Sequence, residues 1–229
     1  MNKKIFSVLL VAVLTASYVQ AQFSIGARAG LNITNVSVKN VSMLFGWEEH
    51  ELLTPKYKYG FQIGAIGEYS ISNNFAIQSC ILFATQGYKA VQSDMVLDDM
   101  MGHGAEVTIN INYLQVPVNA QYKIDLGGRA LLLQAGPYIG YAFGGKTTTQ
   151  ITLNDLPSYE KKNNDLVFGK QEDQLSPLDF GLDLGVGLQL DAIQIGVGYK
   201  LGVANLSNVD KASMKNRGFS ISVTYFFGK

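Results

Sequence analysis

The sequence has a single cysteine, Cys80, and few charged side chains. One cysteine excludes an internal disulfide framework and a cysteine-rich metal site. Charged residues make up 16% of the 229 residues and the formal net charge is zero, so there is no basic footprint for nucleic acid. Beyond the N-terminus, no apolar run reaches the length of a membrane-spanning helix. These absences argue against a disulfide-rich domain, a nucleic-acid-binding protein and a helical membrane protein.

Residues 1–21 are typical of an export signal. Two lysines open the segment, an apolar stretch follows over 5–16, and small residues at 19–21 supply the pattern that a signal peptidase reads. We expect export through the Sec pathway and cleavage after Ala21, which leaves residues 22–229 as one domain. A buried N-terminal helix is the alternative interpretation.

The remaining sequence alternates between apolar and small polar residues with a period of two, which is the pattern of a strand with two different faces. In the stretch FGLDLGVGLQL, phenylalanine, leucine and valine occupy one face, and glycine, aspartate and glutamine the other. Pro117 and Pro137 fall inside two such runs, but the alternation continues on either side of each. The eight predicted strands cover residues 23–33, 57–71, 75–88, 107–124, 130–143, 180–190, 193–203 and 218–227.

The fourth run changes parity along its length. Ile109, Ile111 and Tyr113 have the opposite parity to Leu114 and the apolar residues after it. A β-bulge near Tyr113-Leu114 would bring both sets onto one apolar face. We therefore predict a bulge in this strand.

The connections between the runs alternate strictly in length, and each short turn follows a long connection. The predicted long loops are 34–56, 89–106, 144–177 and 204–217, and the short turns are 72–74, 125–129 and 191–192. Outer-membrane barrels have short periplasmic turns and longer external loops. The alternation therefore predicts a barrel with one trimmed end and one elaborated end.

Alternation alone does not decide which face points outward, because a soluble barrel such as a lipocalin also alternates. A water-facing exterior would be rich in lysine and glutamate, whereas this polar face is mainly glycine, serine, glutamine and asparagine. The apolar face is bulky, ends in aromatic residues and is long enough to cross a bilayer at a tilt. The sequence therefore predicts an all-β fold, an eight-stranded antiparallel up-and-down transmembrane β-barrel with short periplasmic turns and long extracellular loops.

A few charged residues share the polar face and are expected to point into a narrow, filled lumen. They are Arg28, Lys58, Glu68, Lys123, Asp183 and Lys200. They could form a proton or ion path, but the simpler interpretation is a structural network of salt bridges. On that interpretation, removal of Glu68 or Asp183 would leave buried cations unpaired.

Several phrases resemble the PorT-type outer-membrane β-barrel family of Bacteroidetes-like bacteria. They are ARAGLNITNVS, YLQVPVNAQYKI, LQAGPYIGYAF, DFGLDLGVGLQL and GYKLGVANLS, and they extend over essentially the whole mature chain. The resemblance implies a small barrel in the outer membrane, and some relatives assist secretion or gliding systems. Most members of the family have no assigned activity.

Both histidines fall in predicted long loops with acidic neighbours. His50 lies in WEEHE and His103 in DDMMGHGAE. A divalent-cation site that bridges the two loops is conceivable, but the spacing matches no compact metal motif and the simpler interpretation is solvated loop charge. A lipid-modifying enzyme would need one of these histidines as its base, and neither lies beside an evident nucleophile.

The sequence therefore favours a non-enzymatic outer-membrane barrel without a cofactor, with a structural, surface-interaction or secretion-accessory role through its external loops. A narrow porin-like channel for small solutes and an outer-membrane lipid-modifying enzyme are the alternatives. The expected partners are outer-membrane lipids, the barrel-assembly machinery during insertion, and secretion-system or surface partners, but not nucleic acid.

Overall fold

The structure is a computed structural model and describes residues 22–39, 54–97, 100–153, 156–171 and 174–228. The strands are β1 (Phe23–Lys39), β2 (Thr54–Lys56), β3 (Lys58–Ser70), β4 (Phe75–Leu97), β5 (Met100–Asp125), β6 (Ala130–Leu153), β7 (Leu156–Asp165), β8 (Leu178–Leu190), β9 (Ile193–Gly202) and β10 (Ser213–Phe227). Within the described ranges, no helix is long and apolar enough to cross a membrane.

Eight strands form a closed antiparallel ring in the order β1, β3, β4, β5, β6, β8, β9, β10. The ring closes where β10 pairs back with β1, from Ile25 opposite Phe227 to Lys39 opposite Ser213. The short β2 continues the line of β3 against β4, and β7 pairs with β6 beyond the ring. The predicted eight-stranded barrel is confirmed. Closure pairs the backbone of the ring strands, which is what hydrocarbon requires of a spanning sheet.

The two faces of the strands differ sharply in exposure. On the outer surface, Val197 is 54% and Leu182 46% exposed, although both are large apolar side chains. On the inner surface, Asn119 is 2% and Thr224 1% exposed, although both are polar. A water-soluble barrel would show the reverse arrangement. The apolar face therefore points outward and the glycine-rich polar face points into the lumen.

Aromatic side chains lie at both ends of the outward apolar band. Towards the end with the long strand extensions, Phe83 lies between Phe61 and Phe143, with ring centroids 5.6 and 5.9 Å away. At the opposite end, the rings of Tyr225 and Phe227 are 5.7 Å apart. Two such girdles are typical of membrane barrels, whose aromatic residues lie at the two interfaces.

The strands extend further at one end than the sequence pattern predicts. β4 and β5 pair as far as Leu97 and Met100, and β6 continues to Leu153 and turns back as β7. Residues 89–106 and much of 144–177, predicted as loops, are therefore largely strand. Both segments keep β-forming residues, such as the threonines at 147–149, and find partners on neighbouring strands.

The other two predicted loops are also shorter than expected. β1 continues to Lys39 and β10 begins at Ser213, and these two residues pair with each other. Residues 40–53 lie outside the described part of the chain. The hairpins at this end form the extracellular side, because external connections are the long ones in outer-membrane barrels.

The predicted bulge in the fourth strand is wrong. Ile111 and Tyr113 point inward and are 2% and 1% exposed, and Ile109 packs against the same interior clusters. The register between β5 and β6 shifts next to Tyr113, and the extra residue is Phe143 in β6. These three apolar residues can face inward because the extracellular end of the lumen is itself apolar.

Both prolines lie inside strands, as predicted. Pro117 pairs in register with Tyr138, and Pro137 with Leu182. The ladder between β5 and β6 is interrupted just beyond Pro117, at the place where Pro137 has no amide hydrogen to donate. Each strand therefore tolerates its proline through a local gap rather than a break.

Candidate functional site

Glu68 is the centre of the polar network in the periplasmic half of the lumen. Its carboxylate is fully buried and accepts from Nζ of Lys123 at 2.6 Å, which forms a direct ion pair. The other carboxylate oxygen accepts from the amides of Gln78 and Gln194, each at 3.2 Å. Four strands, β3, β4, β5 and β9, thus converge on one carboxylate.

Arg28 extends the same network to the strands that close the barrel. Its guanidinium donates to Gln78 Oε1 at 2.6 Å and to Thr224 Oγ1 at 2.9 Å. Because Gln78 also donates to Glu68, the cation and the anion are linked through an amide rather than by direct contact. The chain from Thr224 to Lys123 therefore cross-links the barrel interior from β10 to β5.

Asp183 and Lys200 lie higher in the lumen and are neighbours in the β8–β9 register. Asp183 accepts from Asn119 at 3.0 Å, and Lys200 donates to Gln115 at 2.6 Å. Lys200 Nζ also lies 5.8 Å from the centroid of the Tyr138 ring. Amide side chains again satisfy the charged groups.

Lys58 begins β3 at the extracellular end, apart from the other five predicted residues. It is half-buried, and its Nζ donates to Asn110 Oδ1 at 2.9 Å. The structure thus groups Arg28, Glu68 and Lys123 in one network and holds Lys58, Asp183 and Lys200 through separate amides. Among the six predicted lumen residues, the direct ion pair is Lys123–Glu68. The expected salt-bridge network is therefore mainly amide-bridged, because inward glutamine and asparagine side chains reach between the charges.

Sequence reasoning missed Asp179, the second residue of β8, which lies one residue ahead of the predicted strand boundary at 180. Asp179 is fully buried, and its Oδ2 accepts from Tyr138 at 3.1 Å and from Asn216 at 2.9 Å. Asn216 also donates to the hydroxyl of Tyr113 at 3.2 Å. A continued polar alternation at 179 was the signal that could have identified this cluster.

A second missed feature bridges a gap in the ladder near the extracellular mouth. β3 and β4 are paired up to Gln62–Ala84, and pairing resumes only at Lys56–Lys89 through β2. Thr34 of β1 reaches across this gap: its hydroxyl donates to the carbonyl of Gly87 at 2.8 Å and accepts from the Gly87 amide at 3.0 Å. The side chain thus satisfies backbone groups that the ladder leaves open.

Three short stretches close the extracellular mouth, and together we call them the cap. They are residues 166–171, 174–177 and 203–212. Leu175 pairs in isolated bridges with Phe168 and Ser207, and Asn208 donates to three backbone carbonyls of the cap. Leu206 is 1% exposed and packs in the mouth with Val36, Tyr88, Ala90 and Met214. The cap therefore places an apolar plug over the polar lumen.

Free space is scarce beside Lys200, below the cap. One interior cavity, lined by Asn32, Gln86, Tyr138 and Lys200 among others, has a volume of about 10 Å³. That is close to the minimum that a single water molecule occupies. At this level, the described side chains fill the lumen.

The histidine hypothesis falls largely outside the described side chains. His50 lies in the undescribed segment, and His103 is placed only as a backbone position in β5. Glu106, one of its acidic neighbours, instead forms an ion pair with Lys89 at 2.7 Å. That contact holds the pKa of the Glu106 carboxyl below its usual value. Within the described ranges, no cluster of three or more His, Cys, Asp or Glu side chains could hold a metal ion.

The sequence matches a family model described as an outer membrane protein beta-barrel domain, over residues 18–208. The chain belongs to this family. Membership agrees with the closed ring and the outward apolar band, so this barrel is an outer-membrane protein. The comparison with curated proteins found no match.

Solved structures of small outer-membrane barrels resemble this one at low sequence identity. Ail of Yersinia pestis, in complex with the heparin analogue sucrose octasulfate, is 13% identical; the match covers 90% of this chain and 99% of Ail, with a TM-score of 0.40. Neisserial surface protein A is 12% identical, with 89% and 97% covered and a TM-score of 0.38. OprG of Pseudomonas aeruginosa is 16% identical, with 91% and 97% covered and a TM-score of 0.37.

Proposed function

We propose that this outer-membrane barrel is a non-enzymatic scaffold that presents its extracellular strand extensions to surface or secretion-system partners. The observation that carries the proposal is the continuous sheet formed above the apolar band by β4, β5, β6 and β7. The sheet also includes β2, which pairs with β4 at Lys56–Lys89. A sheet outside the membrane is a surface for contact, because exposed segments on a stable scaffold commonly carry recognition.

The filled lumen favours a scaffold role and argues against a role as a channel. The Glu68 network joins strands on several sides of the barrel, and the cap adds Leu206 and its apolar neighbours at the mouth. An eight-stranded barrel is just wide enough for its own side chains. Purified protein in planar bilayers is expected to give no stable conductance, and steady single-channel steps would favour the porin-like alternative.

The finer assignments rest on the sequence. The PorT resemblance supports a secretion-accessory role, and residues 1–21 support Sec export followed by insertion through the barrel-assembly machinery. Outer-membrane lipids surround the apolar band. A lipid-modifying activity would appear as a changed lipid A mass in a deletion strain, and the scaffold proposal expects no change.

The decisive experiment removes the sheet and keeps the barrel. A variant in which residues 147–164 are replaced by a short glycine-serine turn should insert and keep its heat-modifiable gel mobility, because β6 and β8 still pair below it. Its strain is expected to show the same phenotype as a strain lacking the whole protein. Full complementation by the trimmed barrel would overturn the proposal. A matched variant with the same turn in place of residues 72–73 should complement.

A further inference from the structure

A groove of about 520 Å³ lies on the outer surface, where the apolar band gives way to the extracellular extensions. It crosses β10 and its neighbours β1 and β9, and it also reaches the residue that joins β2 to β3. The lining side chains that carry the argument are Asn35, Ser37, Tyr57, Tyr199, Arg217 and Phe219. The groove thus combines aromatic rings with polar groups and one cation.

The polarity of the groove changes along the barrel axis. Phe219 pairs with Tyr199 across β10 and β9, and their rings are 4.8 Å apart at the edge of the lipid-facing band. Arg217 lies two residues further towards the extracellular side on the same outward face, a rise of about 7 Å along the strand. Apolar surface therefore lies on the membrane side and a guanidinium on the water side.

The described residues at the rim above the groove are basic. Lys215 follows Arg217 on the outward face, and Lys39 lies beside it on β1, opposite Ser213. Neither β1 nor β10 contains an aspartate or a glutamate. Arg217 is exposed, and the ion pairs of the described residues, Lys89–Glu106 and Lys123–Glu68, do not involve it. This charge is complementary to an anion at headgroup height.

We propose that this groove binds the phosphorylated headgroup of an outer-leaflet glycolipid. The Arg217 guanidinium contacts the phosphate, which its planar donors suit, and Lys215 adds a second cation. The ring of Tyr57 packs against the sugar, and the acyl chains descend over Phe219 and Tyr199 into the lipid. This inference goes beyond the proposed scaffold role and does not depend on it, because the site needs only the barrel and its membrane.

The test is native mass spectrometry of the detergent-purified barrel titrated with diphosphoryl lipid A. Arg217→Gln is expected to weaken lipid binding by about tenfold or more, as the loss of charge-assisted hydrogen bonds does. Arg217→Lys keeps the charge but not the paired donors, so its affinity for lipid A should lie between those of the wild type and Arg217→Gln. Lys146→Gln, an exposed cation on β6 three strands away from β10 in the ring, is the matched control and should bind like the wild type.

Two further ligands separate the possible sources of the anion. Dephosphorylated lipid A should bind much more weakly than the diphosphoryl form, and inorganic phosphate alone should bind weakly because it lacks acyl chains. The proposal would be overturned if the two lipids bound with equal affinity or if inorganic phosphate bound as tightly as the lipid. It would also be overturned if Arg217→Gln bound like the wild type or if Lys146→Gln lost as much affinity as Arg217→Gln. Heat-modifiable mobility verifies that every variant is folded.

Discussion

At the scale of single residues, stability depends on how each buried polar group in the lumen is satisfied. Glu68 has a lysine and two glutamine amides as partners, and Thr34 bonds to backbone groups of Gly87. Burial without such partners would cost several kcal/mol per charged group. Substitutions at these positions should therefore affect stability far more than substitutions on the lipid-facing surface.

Glu68→Gln should destabilise the barrel by about 3 kcal/mol, because it leaves the Lys123 ammonium facing the lumen without its carboxylate. The measurement is urea-induced unfolding of the barrel in lipid vesicles. The double variant Glu68→Gln/Lys123→Gln removes both charges and should recover part of the loss. A single variant as stable as the wild type would show that the ion pair is not a structural element.

Gly87→Ala should destabilise the barrel by about 1–3 kcal/mol. Gly87 has a φ of 147°, and a Cβ there would overlap the carbonyl oxygen of Ile109. Gly144 is the control, since its φ is not positive and a Cβ would only touch Asn112 at 3.9 Å. Equal unfolding midpoints for the two alanine variants would contradict the account of this strained position.

The Glu106 carboxyl should titrate below its usual pKa, because Lys89 donates a hydrogen bond to it. Carbon-13 NMR of the carboxyl is the measurement, and Lys89→Gln should raise the pKa towards the ordinary glutamate value. A depressed pKa means that the pair stabilises the fold above the unfolded-state pKa, and that this contribution is lost as the pH falls through the folded-state pKa. An unchanged titration in Lys89→Gln would show that the contact is absent in solution.

At the scale of elements, the alternating faces could be predicted from sequence, but the strand ends could not. A period of two identifies the membrane-crossing part of β8, where every outward residue from Phe180 to Leu190 meets lipid and must be apolar. Above the membrane, the outward face of β6 meets water, so polar residues such as Lys146 occupy it. The sequence there no longer alternates between apolar and polar residues. The extensions were therefore predicted as loops.

The same physics explains the error in the fourth strand. Ile111 and Tyr113 face an apolar interior, but that interior exists only because Leu175 and Leu206 fold over the mouth from distant parts of the chain. Local spacing does not contain this long-range contact. Parity alone placed Arg28, Glu68 and Lys200 on the polar face, and all three are buried, whereas Asp179 was missed with its strand boundary.

Leu206→Ala should loosen the cap and leave the barrel intact. Truncation of a buried leucine leaves a cavity and costs about 2–5 kcal/mol. Hydrogen-exchange mass spectrometry should show faster exchange at Gly169 and at 174–176, whose amides bond to carbonyls within the cap, and unchanged protection in β8. Val203→Ala, at a side chain that is 46% exposed, is the control. If the cap of Leu206→Ala exchanged as slowly as the cap of the wild type, this would contradict a plug held by Leu206.

At the scale of the whole molecule, the barrel is inverted relative to a water-soluble protein: its exterior is apolar and its interior is polar. Large aliphatic side chains such as Val186, at 50%, are half exposed, whereas Arg28, at 7%, is buried in the lumen. This arrangement is unstable in water, because the exposed apolar surface would be hydrated, and stable in hydrocarbon, where a closed sheet leaves no unpaired backbone. Family membership and the girdles of aromatic residues agree with it.

The most direct test of this inversion is electron paramagnetic resonance of spin labels on the barrel in lipid vesicles, with Cys80 replaced by alanine. Labels at Val186 and Val197 should be accessible to oxygen, which partitions into lipid, and shielded from a water-soluble nickel reagent. A label at Asp191, in an exposed turn, should show the opposite preference. Labels at Val186 and Val197 that are shielded from oxygen, together with a water-accessible label at Asp183, would contradict the membrane-spanning barrel.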